Sequence, residues 1–227
     1  RQRLRAYVSD YLKEEVAAEG LVRNLPAFAD FLRSASLSDT QTVNFVNIAR
    51  DCAVTSPTVR EYFQILVDTL LGRFLPAFTR RPRRRVQMAP KFYFADVGVV
   101  NILAKRGQLE AGGELYGKAL ENWVSHELWA YSSYTERYDE LSFWRLHSGA
   151  EVDFVLNDAE LALEVKASRS ITNQHLKGLR EFRQEYPEVG QLVLVCLETE
   201  PRRTQDGISI LPVAEFARRL WAGDLYQ

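Results

Sequence analysis

Residues 151–166, Glu-Val-Asp-Phe-Val-Leu-Asn-Asp-Ala-Glu-Leu-Ala-Leu-Glu-Val-Lys, limit the possible folds more than any other stretch. The first part alternates, which predicts a strand over 151–156 with Glu151, Asp153 and Val155 on one side and Val152, Phe154 and Leu156 on the other. Asn157-Asp158 supplies a tight turn. In a second strand, Leu161, Leu163 and Val165 share one face, and Ala162, Glu164 and Lys166 share the other, because strand side chains alternate with period 2. A hairpin of this kind set inside a sheet brings Asp153 and Glu164 to one spot with Lys166 beside them.

Such a grouping has a chemical use. Two nearby carboxylates repel, and burying them is costly unless a cation lies between them. Mg²⁺ or Mn²⁺ prefers oxygen ligands, commonly one or two carboxylates with water and substrate phosphate. Asp153 and Glu164 are therefore the candidate metal ligands, and Lys166 the candidate catalytic cation that orients water or faces developing charge. The competing reading is an exposed hairpin whose Glu164 and Lys166 are simply solvated. Asp153 followed by Glu164-Val165-Lys166 resembles the active-site signature of the PD-(D/E)XK nuclease superfamily, with Val152 standing where that signature has Pro. The superfamily often carries a Glu on the preceding helix. Glu121, in Lys-Ala-Leu-Glu-Asn-Trp-Val, fits that place, and the resemblance implies an assisting catalytic role for it.

Composition fits a soluble globular protein, with 46% hydrophobic and 26% charged residues. No apolar run is long enough to span a membrane, and the N-terminus lacks the apolar segment of a signal peptide. Cys52 and Cys196 lie far apart in apolar surroundings, as reduced core thiols of a cytoplasmic protein would. The first residue is not Met, which is read as the mark of a piece of a longer chain. Residues 1–110 carry 17 Lys and Arg against 11 Asp and Glu, a net of +6, whereas residues 111–227 carry 12 against 19, a net of −7. Either the surface charge merely fluctuates, or a basic module facing a polyanion precedes an acidic one that holds cations.

The basic half reads as helical. Helices are expected over 3–18 and 25–36, then a helix-turn-helix over 42–66 whose second helix is capped by Thr55 or Ser56 with Pro57 at its start. The pattern resembles a winged helix, whose second helix enters the major groove. DNA-facing candidates are Thr55, Ser56, Thr58, Arg60, Glu61 and Gln64. Two short strands, one from Phe74 and one from Lys91, flank a wing carrying Arg80, Arg81, Arg83, Arg84 and Arg85, which are candidates for phosphate contact. Winged helices also dock on proteins, so this surface has two readings.

Beyond a short helical connector from Asp96, Gly112-Gly-Glu-Leu-Tyr-Gly-Lys118 imitates a P-loop. Ala119 lacks the hydroxyl that ligates Mg²⁺ and no apolar strand leads into Gly112, so these glycines are read as introducing a helix over 115–131. Strands at 141–146, 151–156 and 161–166, a helix at 172–186, strands at 191–197 and 208–211 and a helix at 213–222 follow. Gln174 and His175 start the helix after Lys166 and are placed within reach of a substrate. His126 and His147 have no partner spacing for zinc, and these two and His175 are read as structural or surface residues. The expected fold class is mixed α+β or α/β, with an α-β-β-β-α-β nuclease-like domain.

Taken in order, Leu4-Arg-Ala-Tyr-Val-Ser-Asp-Tyr-Leu, Thr58-Val-Arg-Glu-Tyr, Lys91-Phe-Tyr-Phe-Ala-Asp-Val-Gly, Leu120-Glu-Asn-Trp-Val-Ser-His-Glu-Leu, Phe143-Trp-Arg, Glu151-Val-Asp-Phe-Val and Glu164-Val-Lys resemble the C-terminal region of bacterial and archaeal AAA-type ATPases. The resemblance implies a helical lead-in over 1–40, a winged helix over 41–98 and a PD-(D/E)XK nuclease-like domain over 99–227. It implies an upstream ATPase module as the only source of ATP binding. Expected partners are DNA, that module and a second copy of the chain, with no membrane. Two functions follow: a Mg²⁺- or Mn²⁺-dependent nuclease, or a catalytically silent DNA- or protein-binding module that targets or regulates the ATPase.

Overall fold

The computed structural model of the chain describes Val8, residues 22–79 and residues 89–226. The expected helix over 3–18 and the wing arginines Arg80, Arg81, Arg83, Arg84 and Arg85 lie outside these residues. The chain divides into two compact units, residues 1–74 with 89–109, and residues 75–88 with 110–227. The boundary expected after residue 98 falls instead after Leu109, because Val99 and Val100 are buried in the helical core.

The first unit begins with α1 (Leu25–Leu37), capped by the Asn24 side chain, and α2 (Phe45–Asp51), capped by that of Asn44. In α3 (Ser56–Asp68) Thr55 is the cap and Pro57 occupies the first turn, where a missing N–H has no cost. Two short strands follow, β1 (Gly72–Leu75) and β2 (Lys91–Phe94), which pair with each other. Thr42 bridges to Lys91 in antiparallel fashion. α4 (Val97–Leu103) closes the unit under an Asp96 cap. Helix, bridge strand, helix, helix, strand, strand is the order expected of a winged helix. Its core is aromatic: Phe31 meets Phe63 edge-on at 4.8 Å, and Phe63 meets Phe92 at 4.7 Å.

The second unit is built on a six-stranded mixed sheet, preceded by α5 (Glu114–Tyr134). Its strands are β3 (Leu141–Arg145), β4 (Glu151–Leu156), β5 (Leu161–Lys166), β6 (Gln191–Cys196), β7 (Arg202–Arg203) and β8 (Ser209–Pro212). Across the sheet the order is β3-β4-β5-β6-β8-β7. β3, β4 and β5 run antiparallel in sequence, whereas β5, β6 and β8 are parallel neighbours. A 3₁₀ turn (Asn173–Leu176) and α6 (Lys177–Glu185) make the crossover from β5 to β6, and α7 (Val213–Ala222) ends the chain's secondary structure.

Leu179 and Phe182 of α6 join Ala162, Leu192, Leu194 and Cys196 in one buried cluster. Leu161, Leu163, Val193 and Val195 alternate with these and are fully buried too, so the sheet is covered on both faces. The apolar runs 161–163 and 192–196 thus follow from double burial. α6 approaches β4 so closely that a Cβ on Gly178 would lie 2.0 Å from the Glu151 carbonyl oxygen. The two-residue strand β7 was not expected from sequence, because Arg202-Arg203 carries no strand pattern.

Candidate functional site

The hairpin forms where the sequence places it, but its first strand is not regular. Ser142 pairs with Val155 and Trp144 with Val152, so one β3 residue, Phe143, faces two on β4, Asp153 and Phe154. This is a β-bulge, which re-aims side chains beside it. The strict alternation expected for 151–156 is corrected here: Val152 and Val155 both belong to the cluster that packs against α6. The turn residue Asn157 takes a left-handed conformation at φ 52°. Its side chain accepts the Glu140 N–H at 2.9 Å and donates to Asp139 and Glu160 at 2.9 and 2.8 Å.

Beyond the bulge, the β4–β5 ladder covers Phe154↔Leu163 through Leu156↔Leu161. At its open end the Asp153 side chain takes over from the backbone: the Val165 N–H donates to Asp153 Oδ2 at 2.9 Å. Asp153 precedes Phe154 and Glu164 follows Leu163, so the two carboxylates flank the same register position on adjacent strands. They are 6% and 5% exposed, which excludes the solvated-hairpin reading for Glu164.

Lys166 Nζ forms an ion pair with Glu164 Oε1. Burial works against the ammonium charge, but the carboxylates of Glu164, Asp153 and Glu121 outweigh it and hold the Lys166 pKa well above the usual lysine range. That electrostatic coupling gathers all four sequence candidates. Glu121 comes from α5, which packs against β5. Gly117 lies one turn before Glu121, and a Cβ there would come 3.8 Å from Ala167 Cβ. The start of α5 therefore lies against the end of β5, near enough for the Glu121 charge to act on Lys166.

The donor set fits a hard divalent cation: two buried carboxylates on adjacent strands, with a third nearby and a lysine as counter-ion. Among the described residues, no group of three or more His, Cys, Asp or Glu side chains gathers as a metal centre, so Asp153 and Glu164 would share the coordination with water and substrate oxygens.

With the geometry in place, two family models match the chain. Residues 1–110 match a domain of unknown function (DUF8612). Residues 116–216 match a second domain of unknown function (DUF4143), which holds the whole acidic cluster. The gap between the two matches begins just past the division between the compact units at Leu109. No curated protein and no solved structure matches the chain. No described helix is long and apolar enough to cross a membrane.

In the DUF8612 region, the DNA-reading candidates all fall on α3 or its cap. Thr55 and Thr58 hydrogen-bond through their hydroxyls at 2.9 Å, and Thr55 Oγ1 also accepts the Thr58 N–H. Ser56 is half-buried. The Arg60 guanidinium stacks over the Phe45 ring at 3.9 Å, and Gln64 donates to Asp68 at 2.7 Å. The exposed charges of this helix are Arg60, Glu61 and Asp68.

In the DUF4143 region, the glycines before Lys118 introduce α5, and Lys118 pairs with Glu114 at 2.8 Å. His175 Nδ1 accepts the Thr172 N–H at 3.1 Å, which makes it a capping residue. Cys52 and Cys196 are buried free thiols, and burial raises both pKa values.

Sequence reading missed the bulge at Asp153–Phe154. The one local signal available is the change from a charged to an apolar partner along the strand, and that signal does not encode an extra residue.

Proposed function

We propose that the DUF4143 region is a phosphodiester hydrolase of the PD-(D/E)XK type, acting on DNA. The observation that supports this most is the buried pair Asp153 and Glu164 at the end of two adjacent strands, with Lys166 ion-paired to Glu164. Asp153 and Glu164 would hold Mg²⁺ or Mn²⁺. Such a cation supplies polarisation of a phosphoryl oxygen and eases the ionisation of water. In the reaction water adds to phosphorus, one P–O ester bond breaks, and the leaving oxygen takes a proton. The carboxylates beside Lys166 favour its charged form, and as a cation it faces developing negative charge. Glu121 adds a further negative charge that favours the ammonium form of Lys166. The Val165 N–H fixes the Asp153 carboxylate, which reduces the entropy lost on ligand binding.

The same reading makes the chain the non-ATPase part of an AAA-type ATPase, in the cytoplasm, with the helical unit as a DNA-binding winged helix. Its support is the ordered series of sequence resemblances and the presence of a DUF4143 match. One observation favours a different role for the helical unit. The exposed face of α3 sets Arg60 against Glu61 and Asp68, with Gln64 engaged by Asp68, which suits a protein partner as well as a phosphate backbone. On that second reading the unit docks on the ATPase or another protein.

The test is cleavage of supercoiled, linear and single-stranded DNA with Mg²⁺ or Mn²⁺, wild type beside Glu164→Gln. Cleavage that depends on Glu164 supports the hydrolase. Cleavage that persists in the variant removes the assignment, and DNA binding without cleavage favours the binding-module reading.

A further inference from the structure

We propose that the cleft at the carboxyl ends of β5, β6 and β8 seats one unpaired nucleotide, with Tyr116 against the base and Arg169 on the phosphate. The inference rests on the hydrolase reading and adds to it the strand form of the substrate and two positioning residues.

A cleft of about 790 Å³ opens within the second unit, lined among others by Tyr116, Arg169, Cys196, Glu198, Arg202 and Val213. That volume is the size of a small-ligand site. The parallel strands β6 and β8 end in its lining at Cys196 and Pro212, and the loop after β5 adds Arg169. Such strand ends are where open parallel sheets bind ligands. Cys196 in its wall is the register partner of Lys166. Tyr116 adjoins Gly117, which lies against Ala167, the residue after Lys166. The cleft is therefore one strand away from the acidic cluster, and a chain lying over Lys166 can continue into it.

The loop that carries Arg169 is held at several points. The Leu197 N–H donates to Ser168 O at 2.9 Å, and the Ile171 N–H donates to Glu198 Oε1 at 2.8 Å. Arg202 donates to Glu198 through Nε and Nη2 at 2.8 and 2.9 Å, and to Ile171 O at 3.3 Å. Hydrogen bonds from Arg202 hold the Glu198 carboxyl below its usual range, so those two charges neutralise each other. Glu200 also lines the cleft. Arg169 itself is exposed and has no hydrogen bond or ion pair among the described residues. It is a cation on a fixed loop and is not occupied with a partner.

Tyr116 is half-buried and likewise has no hydrogen bond among the described residues. An aromatic side chain and an unpaired arginine lining one cleft are the groups that hold single-stranded nucleic acid, through base stacking and phosphate contact. A base within a duplex has no free face for Tyr116, so the site selects unpaired strands or ends. α7 begins at the same wall with Val213, and its positive end adds to the attraction for phosphate.

The test uses the full chain carrying Glu164→Gln, so that binding is read without cleavage. A fluorescein-labelled single-stranded oligonucleotide is titrated at low salt, with a duplex of the same sequence beside it. Arg169→Gln is expected to weaken single-strand binding by about tenfold and to lower the salt slope by about one. Tyr116→Ala is expected to weaken it by about 5- to 100-fold. The parent should prefer the single strand. Unchanged urea midpoints show that the variants are folded. Parent-like binding by both variants, or no single-strand preference in the parent, overturns the proposal. Cleavage by wild type alongside that result leaves the hydrolase standing without this cleft. Weakened binding in both variants without wild-type cleavage leaves the cleft standing without the hydrolase.

Discussion

Asp153 replaces a backbone rung with its side chain: its carboxylate accepts the Val165 amide at 2.9 Å, one residue away from Glu164 on the neighbouring strand. The bulge opposite Phe143 sets this up by placing two β4 residues where a regular ladder has one. The strands thus part with two carboxylates at the fork, and Lys166 offsets their charge.

Removing that counter-ion should cost stability. Lys166→Met leaves buried carboxylates unbalanced, and because the lysine is partly exposed the loss is discounted to about 1–3 kcal/mol. Adding Glu164→Gln should recover part of it, as expected for coupled neighbours. The folded lysine pKa is raised, so its contribution is fully present below the unfolded value of about 10.4 and disappears only as pH rises through the folded value. Urea unfolding at neutral and mildly alkaline pH should therefore give the same wild-type-to-variant difference. A difference that shrinks already by about pH 9 contradicts this ion-pair account.

Gly178→Ala should be among the more damaging small substitutions. The added Cβ meets the Glu151 carbonyl, a backbone atom two residues before Asp153. Overpacking of this kind costs about 1–3 kcal/mol or more, and any relief moves β4. A lowered urea midpoint together with reduced cleavage is expected, and a wild-type midpoint contradicts the close approach of α6.

Asn157 separates two effects. Asn157→Gly keeps the positive φ but loses the side-chain hydrogen bonds, about 1 kcal/mol net. Asn157→Ala loses the bonds and adds about 1 kcal/mol of left-handed strain. Thermal unfolding should rank wild type above Gly and Gly above Ala.

Asp139 predicts an acid limb. Burial alone would raise its pKa, but hydrogen bonds from Asn157, Tyr226 and Ser132 and the charge of Arg137 outweigh that and lower it. A depressed carboxyl contributes stability above its unfolded pKa of about 3.9 and loses it as pH falls through the folded value. Asp139→Asn should cost about 1–3 kcal/mol at neutral pH and flatten the acid limb in urea titrations.

Much of this was legible because it depends on local periodicity. α1, α5, β4, β5 and α7 lie where the pattern of apolar residues and caps puts them, but the hairpin turn spans residues 157–160 rather than Asn157-Asp158 alone, and that longer turn sets the register that brings Asp153 beside Glu164. The bulge was not legible, because it is fixed by the register against β3, a long-range choice that residues 151–156 alone do not carry. The Arg169 loop was not legible either. Its anchors, Glu198 and Arg202, are about thirty residues away in sequence and meet Ile171 only once the parallel strands are assembled.

The most direct measurement is calorimetric titration of Mn²⁺ into wild type, Asp153→Asn, Glu164→Gln and Lys166→Met. The account predicts one site in wild type, its loss in the Asp153 and Glu164 variants, and its retention in Lys166→Met, which removes only the competing cation. Wild-type affinity that survives Glu164→Gln, or an absence of binding in wild type, would contradict the claim that these strands part around a divalent-cation site.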